Sequence, residues 1–311
     1  MVVVSGTKLA AEIGVSRSAV WRMVQQLRAY GVPIEGHPTT GYALKQVPDL
    51  LLPDALEPQL KGTIFAGKVQ HRFRTASTNA DAMQAAARGA PEGTVFLAEE
   101  QTAGRGRGGH SWHSAKAQGI YCSVILRPQM PPADVLILSL AAGLAAQAAV
   151  EQVTGLHPDL RWPNDLLLNG KKFCGILAEM NAEATRVRYV VVGIGMNVNH
   201  LEFPRELRNE ATSLRLARVA QPPPAVLARS PLLAALLKSL DREYRELQPA
   251  TIISRFMQDS SMARGRRVRV EDQGGYEGVT EGLDERGFLR VRIREGLRSV
   301  LSGGVRVIDE T

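Results

Sequence analysis

A glycine- and arginine-rich segment, Gln101-Thr-Ala-Gly-Arg-Gly-Arg-Gly-Gly-His-Ser-Trp112, lies between two apolar, strand-like runs at residues 94–98 and 120–126. Of the nine residues from Gly104 to Trp112, five are Gly or Ser and two are Arg. Glycines let a backbone approach an anion closely and present its N–H groups. Arg105 and Arg107 add planar forks for phosphate or carboxylate. Holding such a segment still costs conformational entropy, so the pattern predicts a loop that orders when a ligand arrives. A solvated basic loop or an RGG-like RNA contact does not account for its place between two strand runs inside a folded domain. The spacing matches neither a Walker loop nor a dinucleotide fingerprint. The fold must therefore suspend an anion-facing loop between two apolar strands.

At 311 residues the chain is long enough for about two domains. Its 44% hydrophobic and 22% charged residues exclude disordered and fibrous classes. Cys122 and Cys174 form neither a disulfide framework nor a CxxC metal site, which suits a reducing compartment. The apolar stretch 135–150 is broken by Ser139, Gly143 and Gln147 and bounded by Asp134 and Glu151. It reads as a buried helix rather than a membrane span. The start is too short for a signal peptide's apolar region, so a soluble cytoplasmic protein is expected. The net charge of +7 raises a nucleic-acid reading. Residues 1–60 hold five basic and five acidic side chains, residues 61–264 hold 24 and 17, and residues 265–311 hold nine and nine. The excess sits in the middle of the chain, which points to an anionic substrate there. Within residues 1–47 alone, five basic and two acidic side chains leave +3, enough for a DNA contact.

Residues 7–13 and 17–30 read as two helices joined by a tight Gly14-Val15-Ser16 turn, with Ser5 or Thr7 capping the first and Ser16 the second. Leu9, Ala10 and Ile13 share one face, and Val20, Met23, Val24 and Leu27 another. A hairpin follows, residues 32–35 and 42–45 around turn residues 38–41. Helix, turn, helix and wing is a winged helix-turn-helix. It would present Arg17, Ser18 and Arg22 to DNA, although helix pairs of this kind also serve as protein contacts or caps. Residues 48–61 carry several prolines and read as a linker. A mixed domain spans 62–264, with strands at 94–98, 120–126, 166–168, 173–180 and 187–192 and helices at 79–88, 133–154, 231–247 and 251–259. The proline stretch 221–225 reads as a surface loop. Five short strands at 268–270, 276–281, 288–293, 299–301 and 305–308 make residues 265–311 a small barrel.

Three further segments carry polar groups suited to a cleft. In Arg161-Trp-Pro-Asn-Asp165 followed by Asn169-Gly-Lys-Lys-Phe-Cys-Gly-Ile-Leu-Ala-Glu179, Asp165 can orient a lysine or hold magnesium through water, and the Lys172 ammonium can bridge a carboxylate and a phosphate. Turn chemistry alone also accounts for these residues. Val192-Gly-Ile-Gly-Met-Asn197 is a strand whose small residues admit a ligand to the backbone. Ser77-Thr78-Asn79 is an N-cap and a set of donors. His110 and His113 have no partners to complete a zinc site, and no Gly-x-Ser-x-Gly elbow is present.

Together and in this order, these segments resemble the biotin–protein ligases, specifically the bifunctional kind that also represses biotin synthesis genes. The resemblance includes Ala211-Thr-Ser-Leu214 and covers nearly the whole chain. It implies a multidomain α+β protein: a winged helix-turn-helix at 1–47, a central mixed-sheet α/β ligase domain of the biotin/lipoate ligase type, and an SH3-like C-terminal β-barrel. It implies that the biotin carboxylate attacks the α-phosphate of ATP to give biotinyl-5′-AMP. A lysine of the biotin carboxyl carrier protein of acetyl-CoA carboxylase then takes the biotinyl group. Carried over by motif, Ser77, Thr78, Asn79, Gln101, Gly104, Arg105, Gly106, Arg107, Lys172, Gly175 and Gly193 hold biotin. Arg107, Trp112, Asn164, Asp165 and Asn197 serve ATP, and Lys172, Arg107 and Asp165 are the catalytic set. Magnesium arrives with ATP and no tightly bound metal is implied. The resemblance further implies operator DNA as a partner, no membrane, and a homodimer when adenylate is bound.

Two departures from the family pattern stand out. Members usually carry a helix ahead of the helix-turn-helix, where here six residues precede Thr7, so the first helix is expected to be missing. The loop has His110 and Gly108 where members usually or often have Arg. A lipoate–protein ligase shares the architecture, but the Gly-Arg-Gly-Arg loop favours biotin. A non-catalytic biotin-sensing DNA-binding regulator would not need both Lys172 and Arg107.

Overall fold

A computed structural model of the chain describes residues 2–37, 40–45, 49–207, 210–218, 225–271, 274–301 and 304–308. Pro38 of the expected hairpin turn, the start of the expected linker at residue 48 and residues 221–224 of the expected proline loop lie outside these residues. The chain divides into two units, Met1–Leu50 and Leu51–Thr311.

The first unit contains β1 (Val3–Val4), α1 (Gly6–Ile13), α2 (Arg17–Ala29), β2 (Ile34–His37) and β3 (Gly41–Leu44). Ser5 caps α1 by accepting from Lys8 N, and Ser16 caps α2 by accepting from Ala19 N, so each orphan first-turn donor finds an oxygen. Ala10, Val20 and Val24 form the core with Leu9, Val15, Ile34 and Tyr42 against them. Met23 and Ile13, expected inside, are exposed, because a core this small is covered by fewer side chains than the helical periodicity offers. The residues ahead of α1 form strand β1, which pairs with β3 through Val3↔Ala43 and Val4↔Tyr42 and makes the wing three-stranded. Arg17, Ser18 and Arg22 are exposed on α2.

The second unit opens with a departure from the sequence reading. Within the expected linker, Pro53–Leu60 is a helix, α3, with Pro53 at its first turn where no amide donor is needed. Leu51, Leu56 and Leu60 are fully buried in the main core. The prolines conceal a helix whose leucines recur at i and i+4, a burial pattern a flexible connector lacks.

Then follow β4 (Val69–Arg72), α4 (Thr78–Ala87), β5 (Val95–Ala98), β6 (Gly119–Leu126), α5 (Leu136–Thr154), β7 (Asp159–Arg161), β8 (Asp165–Leu168), β9 (Lys171–Ala182) and β10 (Val187–Asn197). The seven strands form one mixed sheet in the order β4-β5-β6-β10-β9-β8-β7, with only β4 and β5 parallel. Helices α6 (Leu214–Ala217), α7 (Arg229–Arg245) and α8 (Pro249–Gln258) complete the domain. The stretch Pro132–Thr154 is apolar and long enough to cross a membrane by composition, but 78% of its most apolar window is buried inside the protein. It is a core helix, packed on α7 and α8 and on the sheet.

Strands β11 (Arg264–Val270), β12 (Tyr276–Leu283), β13 (Leu289–Ile293), β14 (Gly296–Val300) and β15 (Val305–Val307) form a second, antiparallel sheet, in the order β14-β13-β12-β11-β15. Its inner face, Val268, Val270, Leu289 and Val291, belongs to the same hydrophobic core as α5. Trp162 Nε1 donates to Gly287 O at 2.8 Å, and Arg161 Nη2 donates to Val305 O at 3.1 Å. A one-sided sheet of this size needs cover, and the central domain supplies it. The C-terminal strands therefore share the central domain's core.

Candidate active site

Strand register brings the polar motifs together. In β9 and β10, Gly193 pairs with Leu177 and Gly195 with Gly175, while across β6 Gly193 pairs with Ser123. The N-terminus of α4 abuts this glycine-rich patch. Twelve of the expected residues line one pocket: Ser77, Thr78, Asn79, Gln101, Arg105, Gly106, Arg107, Trp112, Asn164, Lys172, Gly175 and Gly193. Tyr121, Cys122, Ile176, Leu177, Ile194 and Gly195 complete its walls. Gly104, Asp165 and Asn197 are not among the lining residues, and Arg17, Ser18 and Arg22 belong to the first unit.

One end of the pocket is a hydrogen-bonded network. Ser77 caps α4. Gln101 Oε1 accepts from Thr78 N at 2.9 Å and from the Thr78 hydroxyl at 3.1 Å, and Gln101 Nε2 donates to Ser114 Oγ at 2.8 Å. The Ser123 hydroxyl donates to Asn79 Oδ1 at 2.6 Å and lies 2.8 Å from Thr78 Oγ1. Asn79 Nδ2 donates to Glu179 Oε2 at 2.9 Å, and the same carboxylate oxygen pairs with Arg105 at 3.3 Å. A Cβ at position 193 would collide with Asn79 Oδ1, so the glycine is what lets Asn79 lie against the sheet. Ser114, Ser123 and Glu179 were given no role from sequence. Ser123 carries a readable signal, the one serine in the otherwise apolar and aromatic run 120–126.

The other end is cationic. Lys172 Nζ lies 2.6 Å from Asp165 Oδ1. The backbone of Lys172 is held by a parallel bridge to residues 210–212, with Lys172 N→Glu210 O at 2.8 Å and Thr212 N→Lys172 O at 2.9 Å. This places the Ala211-Thr-Ser-Leu214 segment as its brace. Arg107 is half-buried. Burial lowers its guanidinium from the usual range, and the charge of Asp165 opposes that shift. Asn164 spends its Nδ2 on Ile176 O at 2.8 Å, and Asn197 spends its Nδ2 on Thr212 O at 3.1 Å. Asn197 Oδ1 and Trp112 Nε1 are buried with no hydrogen-bond partner among the described residues.

The loop itself folds back as a small hairpin. Arg105 and Ser111 bridge antiparallel, and Trp112 N donates to Gly104 O at 2.8 Å. The Trp112 indole then lies flat on the Gly175–Gly195 pair. A Cβ at either glycine would come within 2.9 Å or 2.6 Å of the ring, and Lys172 Nζ stands 5.5 Å from its centroid. The site thus presents neutral hydrogen-bonding groups at the Thr78–Gln101 end and two cationic side chains, Arg107 and Lys172, at the other. Among the described residues, no group of three His, Cys, Asp or Glu is placed to hold a metal.

Known proteins match this layout module by module. The Biotin/lipoate A/B protein ligase family model matches residues 72–197, an HTH domain model residues 2–43, and the Biotin protein ligase C terminal domain model residues 264–306. The chain is 35% identical over 309 residues to the "Bifunctional ligase/repressor BirA" of Bacillus spizizenii, covering 98% of this chain and 94% of that one. It is 37% identical over 241 residues to the "Biotin--[acetyl-CoA-carboxylase] ligase" of Mycobacterium tuberculosis, covering 74% and 85%. Among solved structures, the biotin protein ligase from Aquifex aeolicus in complex with biotin and ATP superposes with a TM-score of 0.66 at 28% identity, covering 78% of this chain and 100% of that one. On the extent of these matches and the order of the three modules, the chain belongs to the biotin protein ligase family, in the branch that joins the ligase to an N-terminal helix-turn-helix repressor module.

Proposed function

We propose that the pocket binds biotin and ATP, joins them as biotinyl-5′-AMP, and passes the biotinyl group to a lysine of the biotin carboxyl carrier protein of acetyl-CoA carboxylase. The helix-turn-helix unit acts on operator DNA as a biotin-responsive repressor. The single observation that carries the enzymatic reading is the division of the pocket into a neutral hydrogen-bonding end under Gln101 and a cationic end where Asp165 aims Lys172. A cyclic urea suits the first end, and a carboxylate meeting a phosphate suits the second.

In this reading Ser77, Thr78, Asn79 and Gln101 hold the biotin rings. Gly193 lets Asn79 lie close to the rings, Gly175 seats the Trp112 indole beside them, and Gly104 to Arg107 fold over them. A biotin carboxylate oxygen attacks the α-phosphorus, and the bond from phosphorus to the bridging oxygen breaks to release pyrophosphate. Lys172 and Arg107 offset the charge that gathers on the phosphoryl oxygens, and placing two anions side by side supplies most of the acceleration. In the second step the carrier's lysine amine attacks the acyl carbon, AMP leaves with the former carboxylate oxygen, and the amine gives up a proton. Asn197 Oδ1 and Trp112 Nε1 serve the nucleotide, with Asn164 and Asp165 bracing that end. Magnesium would arrive with ATP, Asp165 would hold it through water, and the ion would offset phosphate charge. We place the reaction in the cytoplasm, where ATP is supplied. Residues 177–182 of β9 lack the β8 partner that covers the strand's first half, and this open edge is where a second copy would pair in an adenylate-bound homodimer.

Purified protein with ATP, magnesium, biotin and a carrier domain should yield one biotinylated lysine, and pyrophosphate exchange should depend on biotin. Exchange with lipoate alone overturns the substrate. No exchange with either acid, together with biotin-dependent DNA binding, would leave a non-catalytic regulator. Lys172→Ala is expected to reduce adenylate formation at least about a hundredfold.

A further inference from the structure

The loop over the pocket leaves the sheet after β5 and returns to it at β6, and both roots are tied by groups deep inside the protein. Glu99 O accepts from Ala117 N at 2.8 Å. The Glu99 carboxylate pairs through Oε2 with Arg229 Nη2 at 2.9 Å, and both side chains are 0% exposed. Arg229 Nη1 donates to Gly119 O at 2.9 Å. The pair therefore spans from the outgoing root to the returning one. Glu99 Oε1 also accepts from Leu51 N at 2.8 Å and lies 3.1 Å from His71 Nε2.

Helix energetics do not explain this arginine. Arg229 is the first residue of α7, which has no acidic residue in its first turn and no side-chain cap, so its charge stands at the unfavourable end of the helix dipole. A buried ion pair is also a poor source of stability compared with apolar residues of similar volume. What the pair does achieve is geometric. Glu99 lies two residues before Gln101, which caps the biotin end, and Gly119 pairs with Asn197 at the nucleotide end.

We infer that Glu99 and Arg229 are positioning residues of the ligase. They fix the two roots so that the Arg105–Arg107 arm closes over the adenylate and keeps water from it. This rests on the ligase reading above. The full chain is tested, first as wild type and then with both residues made apolar, Glu99→Leu with Arg229→Met, which leaves no unpaired buried charge. The variant leaves Leu51 N and Gly119 O without their side-chain partners, so its melting temperature falls under either reading. A purely structural pair predicts that the folded variant keeps wild-type kinetics. Positioning predicts a biotin KM about tenfold higher and a carrier-free release of AMP about tenfold faster in the folded variant, while transfer to saturating carrier changes less than twofold. Unchanged KM and unchanged leakage in the folded double variant overturn the inference. Should that variant be unfolded at the assay temperature, Glu99→Asp carries the same test, since it keeps the charge but withdraws it by one methylene. Wild-type leakage and KM in Glu99→Asp overturn the inference equally. Absence of adenylate in the wild type would instead remove the ligase reading itself.

Discussion

Single positions set the tightest limits on the site. Gly193→Ala would drive its methyl into Asn79 Oδ1 and break the contact with Ser123, because the strand behind it is buried on both faces and cannot retreat. Biotin KM should rise about a hundredfold, while stability falls by about 1–3 kcal/mol, as overpacking usually costs. A KM within threefold of wild type would show that Asn79 does not touch substrate. His200 gives a pH signature. Burial, and secondly the charges of His113 and Arg229, pull it down from 6.5 to about 4. Between those values the unfolded chain binds a proton that the folded chain refuses, so stability is full above pH 6.5 and declines as pH falls toward 4. The loss reaches about 3 kcal/mol. Urea midpoints measured from pH 7 to pH 4.5 should fall less steeply in His200→Gln. Most pocket residues were legible in the sequence because their motifs combine chemistry with turn signals. Glu99 and Arg229 were not. They lie 130 positions apart, and only the fold brings a carboxylate from the end of β5 to an arginine at the start of α7.

At the scale of elements, α3 changes where the ligase domain begins. The sequence reading places that start at residue 62, after a proline-rich linker. The structure buries Leu51, Leu56 and Leu60 in the main core and ties Leu51 N to Glu99. A chain starting at residue 62 loses three wholly buried leucines, each worth about 2–5 kcal/mol when truncated to alanine. It should be insoluble or unfolded at growth temperature. A chain starting at residue 49 should melt cooperatively and retain pyrophosphate exchange, as circular dichroism and the exchange assay would show. The misreading has a physical origin: Pro53 and Pro58 carry the composition of a connector, while the burial that makes α3 a helix comes from packing on α7. Five strands of the central sheet, β5, β6, β8, β9 and β10, were legible in advance from their apolar runs, while the short polar strands β4 and β7 were not. The two-residue β1 was not, since its pairing with β3 depends on residues forty positions away.

For the whole molecule, charge and modularity divide the work. The surplus of positive charge falls in residues 61–264, 24 basic against 17 acidic, the segment that holds the pocket. The first unit, with Arg17 and Arg22 exposed on α2, makes a more modest cationic surface. Binding to operator DNA should weaken steeply as salt rises, with a log–log slope set by the few phosphates it contacts. Arg17→Ala should flatten that slope by about one while leaving biotin transfer unchanged. A salt-independent association would argue against phosphate contacts. Loop, wing and C-terminal strands were all foreseeable as modules, but the shared core of the C-terminal strands and α5 was not, because side-chain complementarity between distant segments leaves no local pattern.

The three tryptophans fall one to each working part of this molecule. Trp21 is 56% exposed on α2, Trp112 lies on the glycine pair of the pocket, and Trp162 is buried with its indole N–H on Gly287. The protein therefore carries its own set of optical reporters, separable by replacing two indoles at a time with phenylalanine. Trp162 should emit at short wavelength and respond only when the C-terminal sheet parts from α5. Trp112 should respond to biotin with ATP, and Trp21 to DNA alone. The time order of their signals after mixing would tell whether adenylate formation precedes the change felt at the operator.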